Sequence, residues 1–142
     1  MDPSSPARVL VVAHRTAATP PLIEAVRERA ARGPARFTLL VPRRAHGLSE
    51  VTDDPEGHGA SDAEAVLALA LPHLREAAGG DVEGMIGSHV ALDAVQDAVN
   101  LHGFDEIIIS TLPRHLSRWL HLDLPHKLNG LGLPVTTVYA RE

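Results

Sequence analysis

Three arginines and three hydroxyl residues stand where apolar runs of the chain give way to polar ones. They are Arg15 and Thr16 in Ala13-His14-Arg15-Thr16, Ser110, Thr111 and Arg114 in Ser110-Thr111-Leu112-Pro113-Arg114-His115, and Arg118 just beyond. A guanidinium forks onto carboxylate or phosphate, and hydroxyls and free backbone N–H groups complete such a site. Pro113 reads as an early helical residue, which points the open N–H groups of a helix start towards Thr111 and Arg114. The chemistry on offer is therefore the holding of a small anion by Ala13, His14, Arg15, Thr16, Ser110, Thr111, Pro113, Arg114, His115 and Arg118. The same residues also have a plain structural account, with arginines solvated on helix faces and hydroxyls closing turns.

Nine histidines raise the question of a metal, but His14, His46, His58, His73, His89, His102, His115, His121 and His126 include no pair at the i, i+4 spacing of a helical zinc site. No metal is expected. His14 and His115 alone fall at strand ends where an acid or base could work, although a lone histidine there is more often a hydrogen-bonded structural residue. No phosphate-binding loop, no dinucleotide Gly-x-Gly-x-x-Gly and no nucleophile elbow occurs, so no catalytic residue is assigned. Trp119, spaced helically with Leu116 and Leu120, reads as core rather than a stacking platform.

The elements that position these residues follow from composition and pattern. A chain of 142 residues with 44% hydrophobic, 22% charged and 3% aromatic residues fits one domain with an aliphatic core. A formal net charge of -5 gives no bulk attraction for nucleic acid, so an anion site must be local. The absence of cysteine excludes disulfides and thiolate chemistry. The start Met1-Asp2-Pro3-Ser4-Ser5-Pro6 has neither the basic residues nor the apolar run of a secretory signal, and no stretch approaches membrane-spanning length. The expectation is a cytoplasmic protein with no membrane partner.

Ala7-Arg8-Val9-Leu10-Val11-Val12-Ala13 is the short β-branched run of a strand covered on both faces. Thr19-Pro20 opens a helix as N-cap and first residue, Leu22, Ile23, Val26 and Ala30 give its apolar stripe, and Gly33-Pro34 ends it. Phe37–Val41 is the second strand, and a strand-helix-strand unit of this length implies a parallel, right-handed crossover. Residues 43–60 lack periodicity and read as a flexible loop. Ser61-Asp62-Ala63-Glu64 is a capping box heading a helix through Val66, Leu67, Ala70, Leu74 and Ala77 to Gly79-Gly80, with Pro72 removing a hydrogen bond near residue 68. Val82–Ile86 is a third strand. Leu92, Val95 and Val99 mark the next helix, stopped at Gly103 with Phe104 trailing. Glu106–Ser110, the most apolar strand, is expected at the centre of the sheet. Two short helices or one broken helix lead through Asp123-Leu124-Pro125 to Leu128, and Pro134–Tyr139 opens with proline, as suits an edge strand.

The opening Arg8-Val9-Leu10-Val11-Val12, the junction from Asp97 through His102-Gly103-Phe104-Asp105 to Ile107-Ile108-Ile109, and the closing Leu133-Pro134-Val135 resemble the universal stress protein family along almost the whole chain. Ser110-Thr111-Leu112-Pro113, Leu116-Ser117-Arg118-Trp119-Leu120 and Asp123-Leu124-Pro125-His126 look closest to an actinobacterial branch of it. The resemblance implies an α/β Rossmann-like fold, a doubly wound five-stranded parallel sheet of order 3-2-1-4-5 with helices on both faces. It also implies a homodimer through the last strand, where Val135, Thr137 and Tyr139 would pair.

ATP-binding members place an aspartate after the first strand and Gly-x2-Gly-x9-Gly-Ser/Thr after the fourth. Here His14 stands near the aspartate, Ser110 and Pro113 take the first two glycine positions, and either Asp123-Leu124 or His121-Leu122 takes the last pair. Side chains at glycine positions hold phosphates away from the backbone, and a carboxylate such as Asp123 repels them. The expected function is a binding or regulatory protein of the stress response, without the standard ATP site and with no cofactor. The alternatives are a nucleotide or small anion bound at the altered strand ends, or a nucleotide hydrolase or transferase using His14 or His115.

Overall fold

The computed structural model describes residues 6–43, 58–113, 118–121 and 123–140. Its elements are β1 (Ala7–Val12), α1 (Pro20–Arg32), β2 (Ala35–Pro42), α2 (His58–Ala78), β3 (Val82–Gly87), α3 (Ala91–His102), β4 (Glu106–Thr111), α4 (Arg118–His121), α5 (Leu124–Asn129) and β5 (Val135–Tyr139). The strands form one parallel sheet in the order β3-β2-β1-β4-β5. Side chains alternate across a strand, so β1 sends Val9 and Val11 to one face and Leu10 and Val12 to the other. Val9 and Val11 join Leu22 and Val26 of α1 and Ala70 and Leu74 of α2, whereas Leu10 and Val12 join Ala94 and Val95 of α3 and Leu124 and Leu128 of α5. Helices thus cover both faces in the expected three layers.

The centre of the sheet is β1 and not β4, which was expected there. Both have neighbours on either side and carry equally apolar runs, but β2 and β3 both lie beyond β1. A strand's own sequence records burial, while its rank in the sheet depends on where distant strands are added.

The helices depart from expectation in instructive places. Thr19 sits at the N-cap of α1 in extended conformation with Pro20 behind it, yet its hydroxyl makes no cap bond. It donates instead to the carbonyl of Thr16 at 2.7 Å, closing the turn that leaves β1. Helix α2 starts at His58, so Ser61 lies inside it rather than capping it; residues 44–57 of the expected loop lie outside the described residues. Pro72 leaves the helix unbroken, and it and Ala68 lie on the exposed side, where the carbonyl that proline cannot bond faces solvent.

On α3 the deepest residues are Ala91, Ala94, Val95 and Ala98, with Leu92 and Val99 only half-buried. Small side chains let this helix ride close to the sheet. It ends as expected: Gly103 has φ +73°, its N–H donates to the Val99 carbonyl at 2.9 Å, and Phe104 folds under.

At the amino-terminal edge of the sheet, Arg8 ties β1 to the turn before β4. Its backbone N–H donates to an Asp105 carboxylate oxygen at 2.8 Å, its guanidinium donates to the His102 carbonyl, and its Cζ lies 5.4 Å from the Phe104 ring centre. Arg29 of α1 pairs with Glu106 at 2.6 Å in a largely enclosed position. This end of the sheet is locked, which leaves the carboxyl ends of the strands as the place for a site.

Candidate functional site

The register sets the site. Val12 pairs with Ile109, so the residues that follow, Ala13 to Thr16 on one strand and Ser110 on the other, emerge side by side. Ala13 is buried and extends the β1–β2 ladder, its N–H donating to Leu40 at 3.2 Å. The chain then turns tightly: Ala17 N–H donates to the His14 carbonyl at 3.2 Å and Thr19 N–H to that of Thr16 at 3.1 Å. That turn carries Thr16 back under the strand ends.

There Thr16 Oγ1 and Ser110 Oγ share a hydrogen bond of 2.6 Å, with Thr16 only 3% and Ser110 only 1% exposed. A hydroxyl offers one proton, and this bond uses one of the two inside the pair. Thr111, also buried, donates its hydroxyl to the Leu112 carbonyl at 2.9 Å, and its own carbonyl accepts from Ala140 N–H at 2.8 Å. His14 is half-buried with its Nε2 enclosed, while Arg15 is exposed. The buried side chains gathered here are neutral.

Thr16, Ser110, Thr111, Ala13 and His14 are thus brought together at the expected end of the sheet, and Arg15 turns outward. Pro113 is half-buried and lies in no helix, and among the described residues the next helix is α4 from Arg118. The turn that a helix starting at Pro113 would form, residues 114–117, lies outside the described residues. Arg114 and His115 lie outside the described residues, as does the side chain of Arg118. Among the described residues, no group of three His, Asp or Glu side chains gathers to hold a metal.

The Thr16–Ser110 bond is not written in either segment. The pairing of β1 with β4 contained in the order 3-2-1-4-5 was the signal that could have found it. A second feature missed from the sequence is Asp123, with φ 57° and ψ 37° between α4 and α5. It adopts the left-handed conformation that a glycine takes most readily, at one of the two places where the resemblance puts a glycine. Asp123→Ala should cost about 1 kcal/mol and Asp123→Gly should stay within about 0.5 kcal/mol of the parent, relief of the backbone being offset by unfolded-state entropy. Urea denaturation of the two variants checks this.

On β5, at the sheet edge, Val135 and Thr137 are half-buried and Tyr139 is exposed. No helix among the described residues is long and apolar enough to cross a membrane.

No family model and no curated protein matches the chain. Solved structures do match it. A universal stress protein in complex with cAMP is 16% identical with a TM-score of 0.65, over 97% of this chain and 100% of that one. The universal stress protein of Archaeoglobus fulgidus is 15% identical with a TM-score of 0.65, over 93% of each chain. A family member from Arabidopsis thaliana with AMP bound is 16% identical with a TM-score of 0.62, over 96% of this chain and 93% of that one. The five-stranded sheet of order β3-β2-β1-β4-β5 with helices on both faces is the fold that this chain shares with universal stress proteins.

Proposed function

We propose that the protein is a binding or regulatory member of the universal stress protein family, of the actinobacterial branch without the ATP-binding glycines. It acts in the cytoplasmic stress response and makes no use of the standard ATP site. The observation that carries this reading is the buried 2.6 Å bond between Thr16 and Ser110. The hydroxyls at the junction of β1 and β4 are turned to each other, with a Cβ on Ser110 and a ring on Pro113 where the resemblance puts bare backbone. Proline also lacks the N–H that a phosphate would accept from. The work is then done by association, and the edge strand β5, with Val135, Thr137 and Tyr139, is the proposed homodimer surface.

A second reading has its own support in the cAMP and AMP held by structures of like fold. In it a nucleotide or small anion binds the altered strand ends through Arg15, Thr16, Ser110, Thr111 and Arg114. A thermal-shift screen against ATP, AMP, cyclic AMP and phosphate separates the two, because a ligand that binds only the folded state raises the melting temperature. The first reading expects no shift at millimolar ligand. A concentration-dependent rise that Arg114→Ala removes overturns it in favour of the second.

A further inference from the structure

The chain holds two asparagines, a thermolabile residue type, and they sit in opposite settings. Asn100 lies within α3 and is followed by Leu101, which is still helical and carries a branched side chain. Asn129 is the last residue of α5, is exposed, and is followed by an exposed Gly130. Glycine has no Cβ to screen its backbone nitrogen. That nitrogen lies in the chain where attack on the Asn129 side-chain amide closes a five-membered ring.

Little in the fold restrains that attack. The turn after α5 is held by Gly130 N–H donating to the Lys127 carbonyl at 3.2 Å, Leu131 N–H to that of Leu128 at 3.0 Å, and Gly132 N–H to that of Asn129 at 3.1 Å. Each bond spans three residues and has the poorer geometry of a tight turn. Gly130, at φ −64° and ψ −13°, continues the helical path, so its nitrogen reaches the side chain only when the Asn129 Cα–C bond rotates and the turn opens. Exposed, few-contact turns of this kind open at the low end of local stability. Leu124 and Leu128, which seat α5 in the core beside α3, precede Asn129 and are buried. The turn therefore frays while both stay in place.

We propose that Asn129 is a modification site, deamidated without an enzyme in the folded protein. The Gly130 nitrogen bonds to Asn129 Cγ and gives up its proton, and the side-chain nitrogen leaves as ammonia, so that a cyclic imide remains. Water then adds to one of the two imide carbonyls and breaks its bond to nitrogen, giving aspartate or isoaspartate and a released proton. Both products place a carboxylate at the carboxyl end of α5, where the helix dipole disfavours it. Isoaspartate also adds a methylene to the main chain between α5 and β5. That link is short and moored, because the Pro134 carbonyl accepts from Ile107 N–H at 2.9 Å and Val135 pairs with Ile107. The modification thus falls on the connection that positions the edge strand.

Incubation of the full chain in mildly alkaline buffer, followed by tryptic digestion and mass spectrometry against an unincubated sample, tests it. The peptide from Leu128 to Arg141 should gain with time the mass of OH in place of NH2 and elute as two isomers, while the peptide that holds Asn100 stays unchanged. Asn129→Gln should abolish the gain, and Gly130→Ala, at a φ that alanine adopts freely, should slow it several-fold. Urea below the unfolding transition should leave the rate nearly unchanged, since only the terminal turn has to open. No gain at Asn129, an equal gain at Asn100, or a rate indifferent to Gly130→Ala overturns the assignment. So does a rate that climbs with urea in step with global unfolding, which would place the reaction in the unfolded chain.

Discussion

Gly87→Ala destabilises the protein by about 1–3 kcal/mol, seen as a lower urea midpoint with an unchanged slope. Gly87 ends β3, where α3 passes so close that an added Cβ would lie 2.6 Å from Ala94 Cβ and 3.3 Å from Ala94 Cα, with Leu40 Cδ1 at 3.0 Å. The leucine tip can rotate away, but Ala94 belongs to the helix itself, so relief requires α3 to move off the sheet. That would loosen Val95 and Ala98 in the same layer. Gly84→Ala in the same strand provides the contrast. Its new Cβ would meet only the tips of Leu67 and Leu71, at 2.9 and 3.1 Å, and flexible side chains can yield. Its cost should be the smaller of the two, and an equal or larger cost would show that α3 has room to shift.

Ser110→Ala costs about 1–3 kcal/mol, because it strands the Thr16 hydroxyl in a buried site. Thr16→Val costs a similar amount by stranding that of Ser110. The double variant should lose less than the sum of the two, since removal of both partners leaves no polar group in need of one. Urea denaturation of all four proteins closes the cycle. Additive losses would mean that the hydroxyls are satisfied elsewhere, and that neither depends on the other for its hydrogen bond.

The sheet was legible because its strands are short β-branched runs bounded by polar turns, and β1 and β4 follow their apolar runs almost to the residue. What the sequence concealed involved distance. Ala91, Ala94 and Ala98 form the deep face of α3, yet alanine reads as neutral filler until a glycine on another element shows how close the helix lies. Thr19 has the residue type of a cap, but Thr16 offers its hydroxyl a nearer acceptor. The Ser61 box was a local pattern inside a helix that starts three residues earlier, across a Gly59 that hides it. At the site, residue types placed Thr16, Ser110 and Thr111 at strand ends, and the resemblance supplied the order that makes β1 and β4 neighbours. The turn that brings Thr16 back onto Ser110 depends on backbone bonds within residues 14–19, which no spacing rule encodes.

On the proposed function these strand ends are closed upon themselves and do not cradle a nucleotide. A titration of 15N-labelled protein with ATP, following the backbone amide signals of Ala13 to Thr16 and of Ser110 to Leu112, tests this directly. These signals should stay in place up to millimolar ATP, or drift without saturating. Saturable shifts confined to those amides would contradict it and establish a nucleotide site at the junction of β1 and β4.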